Sequence, residues 1–299
     1  MKRIDERSLE SIESLGNEQG QAPAHAQFPA IQLSQGVRTD SHDHIAIEAP
    51  VAIVINGISY AVMMASPEAL EDFAYGFALS EGIVDHAAQI YDCDVVPHAQ
   101  GYNVELRIAN ECFFQIKERQ RQLSGRTGCG LCGISSIEEL LRDLAPLDTP
   151  SSTSDIQVSL SAITLASQHL RAQQALMEAT GATHAAAWCN LDGEIVVLRE
   201  DVGRHNALDK VIGALARNKM DGRAGFALIT SRASYELIEK CVRARIAVLA
   251  AVSGVTSLAI DVAERSQLCL LGYTRDNKTT IYTHAQRIQV YAKNEIDKK

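Results

Sequence analysis

No apolar stretch in this 299-residue sequence reaches the roughly 18 residues that a membrane-spanning helix needs, so no transmembrane helix is expected. Clustered positive charge is missing too. The 37 acidic and 28 basic side chains leave a formal net charge of −9, which argues against wrapping nucleic acid or binding an acidic membrane surface. One small basic pocket for a phosphorylated ligand remains compatible with that balance. Met1–Glu6 carries basic residues with no apolar run behind them, so a secretory signal is not expected. Walker A and Gly-x-Gly-x-x-Gly patterns are absent, which speaks against ordinary ATP or NAD use. The chain has seven cysteines, at 93, 112, 129, 132, 189, 241 and 269. An odd number, mostly in apolar segments, suits a reducing cytoplasm better than a disulfide framework. Cys189, Cys241 and Cys269 read as small buried hydrophobes.

What is present divides the chain. Residues 1–43 are polar and without a sustained period, and are read as a mobile tail, with His42 and His44 as weak metal candidates within it. Residues 44–146 predict a small α+β domain. Ile45–Ile55 and Ile58–Met64 are strands joined by Asn56-Gly57, a strong hairpin signal. Ser66-Pro67 predicts a helix start running to Ser80. A second hairpin spans Tyr91–Val96 and Tyr102–Ile108, followed by helices over 110–123 and 136–144. Residues 147–157 are a linker rich in Pro, Ser, Thr and Asp. Residues 158–299 form the second domain. There a helix over 161–180 leads into strands and helices in alternation to Thr283, which predicts a mixed sheet with helices on its faces, an α/β fold.

Gly128-Cys129-Gly130-Leu131-Cys132-Gly133 carries the most specific chemistry. A structural zinc site usually needs a second Cys or His pair at ligand spacing, and the sequence has none. A zinc deaminase would place Pro before the first cysteine and a His-x-Glu upstream; Gly128 stands there instead, and His184 lies downstream, followed by Ala185-Ala186. A thioredoxin-like dithiol would lie between a strand and a helix. The glycines around Cys129 and Cys132 predict an exposed loop able to swing, and Arg126 and the following helix start favour the thiolate. Persulfide carriage or redox exchange, metal binding and an inert loop remain open on these residues alone.

Glu200-Asp201-Val202-Gly203-Arg204-His205-Asn206-Ala207-Leu208-Asp209 joins a strand to an amphipathic helix, with Asn206 as the expected N-cap and Arg204 and His205 at the helix's positive end. Thr230-Ser231-Arg232 and Ser253-Gly254-Val255-Thr256-Ser257 repeat the strand-to-helix pattern. Such turns gather outside the carboxyl ends of an open α/β sheet, where ligands bind. They predict one crevice for a phosphorylated ligand of dinucleotide size, with Arg275 and Lys278 adding positive charge. His184 reads as a core histidine.

Gly125–Gly133, Glu200–Asp209, Thr230–Tyr235 (TSRASY), Ile281–His284 and Leu79–Ile83 together resemble the FdhD family of formate dehydrogenase accessory sulfurtransferases, in the same order over roughly residues 45–290. The resemblance implies a cytidine-deaminase-like mixed sheet with flanking helices and a smaller β-rich N-terminal domain, in a cytoplasmic homodimer that needs no zinc. It implies transfer of persulfide sulfur from a cysteine desulfurase to the molybdenum cofactor, bis-molybdopterin guanine dinucleotide, for a client formate dehydrogenase, with no nucleic acid or membrane as partner. A GDP-like nucleotide would mimic that cofactor. Cys129 would carry the persulfide, with Cys132 its partner. The cofactor segment maps onto Tyr273, Thr274, Arg275, Asp276, Asn277 and Lys278, joined by Arg204, His205, Ser231, Arg232 and Ser257. Asp276-Asn277 departs from the proline or glycine of several relatives. The alternative is a non-catalytic cofactor chaperone whose dicysteine loop binds metal or docks the client. A dithiol reductase, which would need no desulfurase, is the second rival.

Overall fold

A two-stranded ribbon opens the described chain, which comprises residues 23–124, 146–147 and 156–290 of a computed structural model. β1 (His25–Ser34) and β2 (Val37–Ala46) pair antiparallel around Gln35-Gly36, whose φ angles of 50° and 81° match the twist of a tight hairpin. This corrects, for residues 25–43, the expectation of a mobile tail over 1–43; residues 1–22 lie outside the described residues. The ribbon buries little on either face, and Ile31, Leu33 and Val37 stay exposed, so its sequence develops no alternating apolar pattern. Backbone pairing is its main support. Ile47 N donates to Ala24 O at 2.7 Å, and the chain bends at 47–48, dividing what the sequence reads as one strand from Ile45.

β3 (Ala49–Ile55) alternates strictly: Ala49, Val51, Ile53 and Ile55 are buried while the residues between them are half-buried, as one core-facing strand face requires. β4 (Ile58–Ala65) returns through Asn56-Gly57 as expected. β5 (Ile90–His98) and β6 (Gly101–Ile108) complete a sheet of order β4-β3-β6-β5, with β3 and β6 parallel. α1 (Leu70–Ser80) seals its apolar face through Leu70, Phe73 and Phe77, and α2 (Asn110–Ser124) follows. α1 begins three residues after Pro67, because Ser66 does not cap it. Ser66 N donates to Asp201 Oδ2 at 3.0 Å and Ser66 Oγ accepts from Val202 N at 3.1 Å.

The second half runs β7 (Val158–Ser159), α3 (Leu160–Ala172), α4 (Ala175–Thr180), β8 (His184–Asn190), β9 (Ile195–Asp201), α5 (Arg204–Arg217), β10 (Gly225–Ile229), α6 (Tyr235–Arg243), β11 (Val248–Ala251), α7 (Ser257–Arg265), β12 (Cys269–Arg275), β13 (Lys278–Ile281) and β14 (Ile288–Gln289). Its six-stranded sheet has the order β13-β12-β11-β10-β8-β9; β10, β11 and β12 are parallel and the other pairings antiparallel. This is the mixed sheet expected from the alternation. The helix expected over 161–180 is two, interrupted at Gln173-Gln174. α5, α6 and α7 bury Leu208, Val211, Leu237, Ile238 and Ala259 in one core. α3 buries Ile163, Ala166 and Leu170 with Phe226, Leu228 and Leu271 in another.

The two sheets are joined where α1 crosses α5, at Gly76 and Gly213. Buried ions flank that crossing. Lys210 Nζ meets Asp201 Oδ2 at 2.6 Å and donates to Ser66 O at 3.0 Å. Lys240 Nζ lies 3.0 Å from Asp209 and 2.8 Å from Glu81, with Ser80 Oγ donating to Asp209 at 2.6 Å. Asp72 receives Arg199 at 2.7 Å and Arg217 at 2.6 Å, and Arg217 also pairs with Glu71. Burial opposes the charge on Lys240, but Asp209 and Glu81 hold its ammonium above the ordinary lysine value. Each buried charge thus has an opposite partner and a hydrogen bond, without which burial would be prohibitive.

Cys112, Cys189, Cys241 and Cys269 are buried, and burial pushes the Cys189 and Cys269 thiols up to about 12. They are core hydrophobes, as read from sequence for 189, 241 and 269. No described helix is long and apolar enough to cross a membrane. Cys129, Cys132, their glycine loop, the helix expected over 136–144 and linker residues 148–155 lie outside the described residues.

Candidate functional site

β9, β10, β11 and β12 all run the same way, so the turns after them emerge at one edge of the sheet. Backbone hydrogen bonds lace the turns after β10 and β11 to each other and to the end of β12. Ala233 N donates to Gly254 O at 3.0 Å and Thr256 N to Ala233 O at 3.1 Å; Tyr273 N donates to Ser253 O at 2.9 Å. Tyr273 has φ 54°, placing a left-handed residue where β12 departs from regular pairing with β13 between Gly272 and Arg275. The three α/β turns read from sequence therefore converge on one edge, with Tyr273 beside them.

At the β9 end, α5 starts at Arg204 with Gly203 as its N-cap, not with Asn206 as predicted. Asn206 is buried, donating to Met64 O at 2.8 Å and Asp201 Oδ1 at 3.0 Å; it ties the turn to the N-terminal sheet instead. Arg204 and His205 thus occupy the first helical turn, where unpaired N–H groups and the helix dipole favour an anion. Both approach Glu236, in the first turn of α6. His205 Nε2 lies 2.7 Å from Glu236 Oε2, off the axis of a hydrogen bond, and Arg204 lies 4.0 Å away. Ser234 Oγ donates to the same oxygen at 3.4 Å. Burial lowers the His205 pKa from its ordinary value, opposed by Glu236 and assisted by Arg204. His184, half-buried at the start of β8, is lowered by burial and then by Arg204. Both imidazoles are consequently neutral donors and acceptors at pH 7.

Glu236 escaped the sequence reading. Its only signal is an acidic residue two positions after Ser234, in a turn whose serines and arginine drew attention first.

The other expected site residues separate into two groups. Arg232, Arg275 and Lys278 are exposed and form no ion pair among the described residues. Ser231 is buried, its hydroxyl donating to Arg232 O at 3.2 Å; Ser257 is exposed in the first turn of α7, which Thr256 caps. Thr274 is 2% exposed and its hydroxyl shares a hydrogen bond with Thr279 at 2.9 Å. Asp276 and Asn277 form the β12–β13 turn with φ of 52° and 58°. Asn277 Oδ1 accepts from Gln168 Nε2 at 2.9 Å, and Ser167 Oγ donates to Thr274 O at 2.7 Å. α3 therefore props this hairpin, leaving Arg275 and Lys278 as its outward cations. Glu200, in the same polar segment, is occupied by α4, accepting from Leu176 N and Met177 N at 2.8 Å.

Among the described residues no three His, Cys, Asp or Glu side chains gather closely enough to hold a metal ion. A cavity of about 480 Å³ is lined by Asn56, Tyr91, Arg107, Ile108, Asn110 and Phe113, all in the N-terminal half and apart from the turns. Chemically, the edge offers helix N-termini, hydroxyls and separated cations, a set suited to phosphate groups.

Comparison with known proteins bears on the family and the fold. The FdhD/NarQ family model matches residues 46–289. The sulfur carrier protein FdhD of Cupriavidus necator is 47% identical over 89% of this chain and 91% of its own length. That of Bordetella petrii is 46% identical over 85% and 90%. A crystal structure from Desulfotalea psychrophila, of a protein described as a formate dehydrogenase accessory protein, superposes with a TM-score of 0.70 over 89% of this chain and 100% of its own, at 23% identity; that likeness concerns the fold.

Proposed function

Because the chain belongs to the FdhD/NarQ family, we propose that it is a cytoplasmic sulfurtransferase. It carries sulfur as a persulfide from a cysteine desulfurase to bis-molybdopterin guanine dinucleotide, and a formate dehydrogenase depends on the product. The observation that carries this reading is the convergence of the turns at Gly203–His205, Thr230–Ser234 and Ser253–Thr256, with Tyr273 beside them, an edge of anion-binding character and dinucleotide reach.

In the proposed mechanism the Cys129 thiolate attacks the outer sulfur of the donor's persulfide. A Cys129–sulfur bond forms, the donor's sulfur–sulfur bond breaks, and the donor cysteine leaves as thiolate. The acceptor is the substrate, and its phosphates are met by the first turn of α5, by Arg204 and Arg232, by the hydroxyls of Ser231 and Ser257, and by Arg275 and Lys278. His205, half-buried and with its pKa lowered by that burial, donates a hydrogen bond to phosphate without adding charge. The Cys132 thiolate resolves any persulfide left on Cys129 by attacking its inner sulfur: a Cys129–Cys132 disulfide forms, the persulfide sulfur–sulfur bond breaks and the outer sulfur leaves as hydrosulfide. The molecule acts as a homodimer.

Replacement of Cys129 by alanine separates this reading from a non-catalytic chaperone. Cells dependent on the variant should lose formate dehydrogenase activity while the cofactor is still bound. Retention of most of that activity would favour the chaperone.

A further inference from the structure

The ribbon holds an arrangement that sulfur transfer does not use. His25 begins β1 and His44 stands near the end of β2, diagonal to it in the register Gln27↔His44 and His25↔Ala46. Side chains of directly paired residues share a face, and alternation puts every second residue on that face. His25, Gln27, His42 and His44 therefore occupy one face of the ribbon. His25 Nδ1 and His44 Nδ1 are 3.2 Å apart, with ring centroids separated by 5.1 Å and planes inclined at 66°. On the far side of the second ring, Gln27 Nε2 is 3.1 Å from His44 Nε2. Both rings are half-buried, while His42 is exposed two positions along the same strand.

We propose that His25 and His44 form a chelating site for a borderline divalent cation, with Zn²⁺ as its typical occupant and Gln27 as the residue that orients His44. The spacing is that of two ligands on one ion. Zinc–imidazole bonds of about 2.0–2.1 Å that span 3.2 Å subtend an angle of about 100° at the metal, close to tetrahedral. Imidazole suits zinc, copper and nickel better than calcium or magnesium. A cation held between the facing Nδ1 atoms needs both of them unprotonated, which puts the N–H of His44 on Nε2. Gln27 then presents its carboxamide oxygen to that N–H, an amide orientation that heavy-atom positions allow equally. A hydrogen bond of this kind to a ligating imidazole fixes its tautomer and strengthens the ligand. Water completes the coordination. The site staples the base of a two-stranded ribbon, an element marginal on its own.

The dicysteine motif can also bind zinc, so the titration is done on full-length protein carrying Cys129→Ser and Cys132→Ser. Titration calorimetry with Zn²⁺ should show one equivalent bound. His25→Ala and His44→Ala should each weaken binding by at least about tenfold, and Gln27→Ala by about tenfold, the usual effect of losing an orienting partner. Nitrogen-15 spectra of the parent should show Zn²⁺ shifting Nδ1 of His25 and His44, which reads the site even if an alanine variant fails to fold; His25→Gln provides a milder substitution. Zinc affinity unchanged by both histidine variants, or no bound equivalent in the parent, would overturn the proposal.

Discussion

Gly76 and Gly213 meet back to back where α1 crosses α5. A β-carbon on Gly76 would stand 1.7 Å from Asp209 O, and one on Gly213 would stand 1.8 Å from Asp72 O. In each case the obstacle is backbone of the opposite helix, which cannot turn aside as a side chain can. This contact sets the distance between the two sheets, and with it the position of Asn206, Lys210 and the first turn of α5.

Gly76→Ala and Gly213→Ala should each destabilise the protein by about 3 kcal/mol or more, the upper end for an overpacked core. Urea unfolding measures this. Variants with wild-type midpoints would show that the helices separate freely.

Lys240→Met should cost about 3–5 kcal/mol, because it strands the Asp209 carboxylate with Ser80 as its main remaining partner. Asp209→Asn in the same chain should restore much of that loss, since the unpaired charge goes with it. Equal stability of the single and double variants in urea would contradict the assignment.

The strands, helices and mixed sheet were readable because their periods are set by burial on one or two faces, as in β3 and α5. What escaped was long-range. Ser66 and Asn206 have the composition of helix caps, yet each is claimed by a partner more than 130 residues away in sequence, a contact no local pattern encodes. The ribbon escaped for the opposite reason: it buries too little to leave a pattern. At the site, Arg204, His205 and the Ser231–Arg232 turn were legible as strand-to-helix junctions. Thr274 lies in the segment that the resemblance implies for cofactor contact, while its hydroxyl partner Thr279 enters from the neighbouring strand, a pairing no local pattern shows.

Acidification should weaken the fold through the histidines. His184 and His205 have pKa values lowered by burial, so below the ordinary imidazole value of about 6.5 the unfolded chain binds protons that the folded chain does not yet take. Their effect is absent well above that value and grows as pH falls through it toward the folded pKa values. Thermal unfolding between pH 7.5 and 5.5 should show a smaller loss for His205→Gln than for wild type; parallel losses would count against a buried neutral His205.

Arg204→Ala and Arg232→Ala should each weaken GDP binding by about tenfold, the loss of one charge-assisted contact of roughly 1.5 kcal/mol, with unfolding midpoints nearly unchanged for the exposed Arg232. Fluorescence or calorimetric titration with GDP reports it. Undiminished binding in both variants would move the nucleotide away from this edge.

Sulfur loading is the most direct test of the account. Incubation with a cysteine desulfurase and cysteine, followed by peptide mass spectrometry, should find one added sulfur atom on Cys129 and none on the buried Cys112, Cys189, Cys241 or Cys269. An unmodified Cys129 in protein that still supports full formate dehydrogenase activity would contradict it.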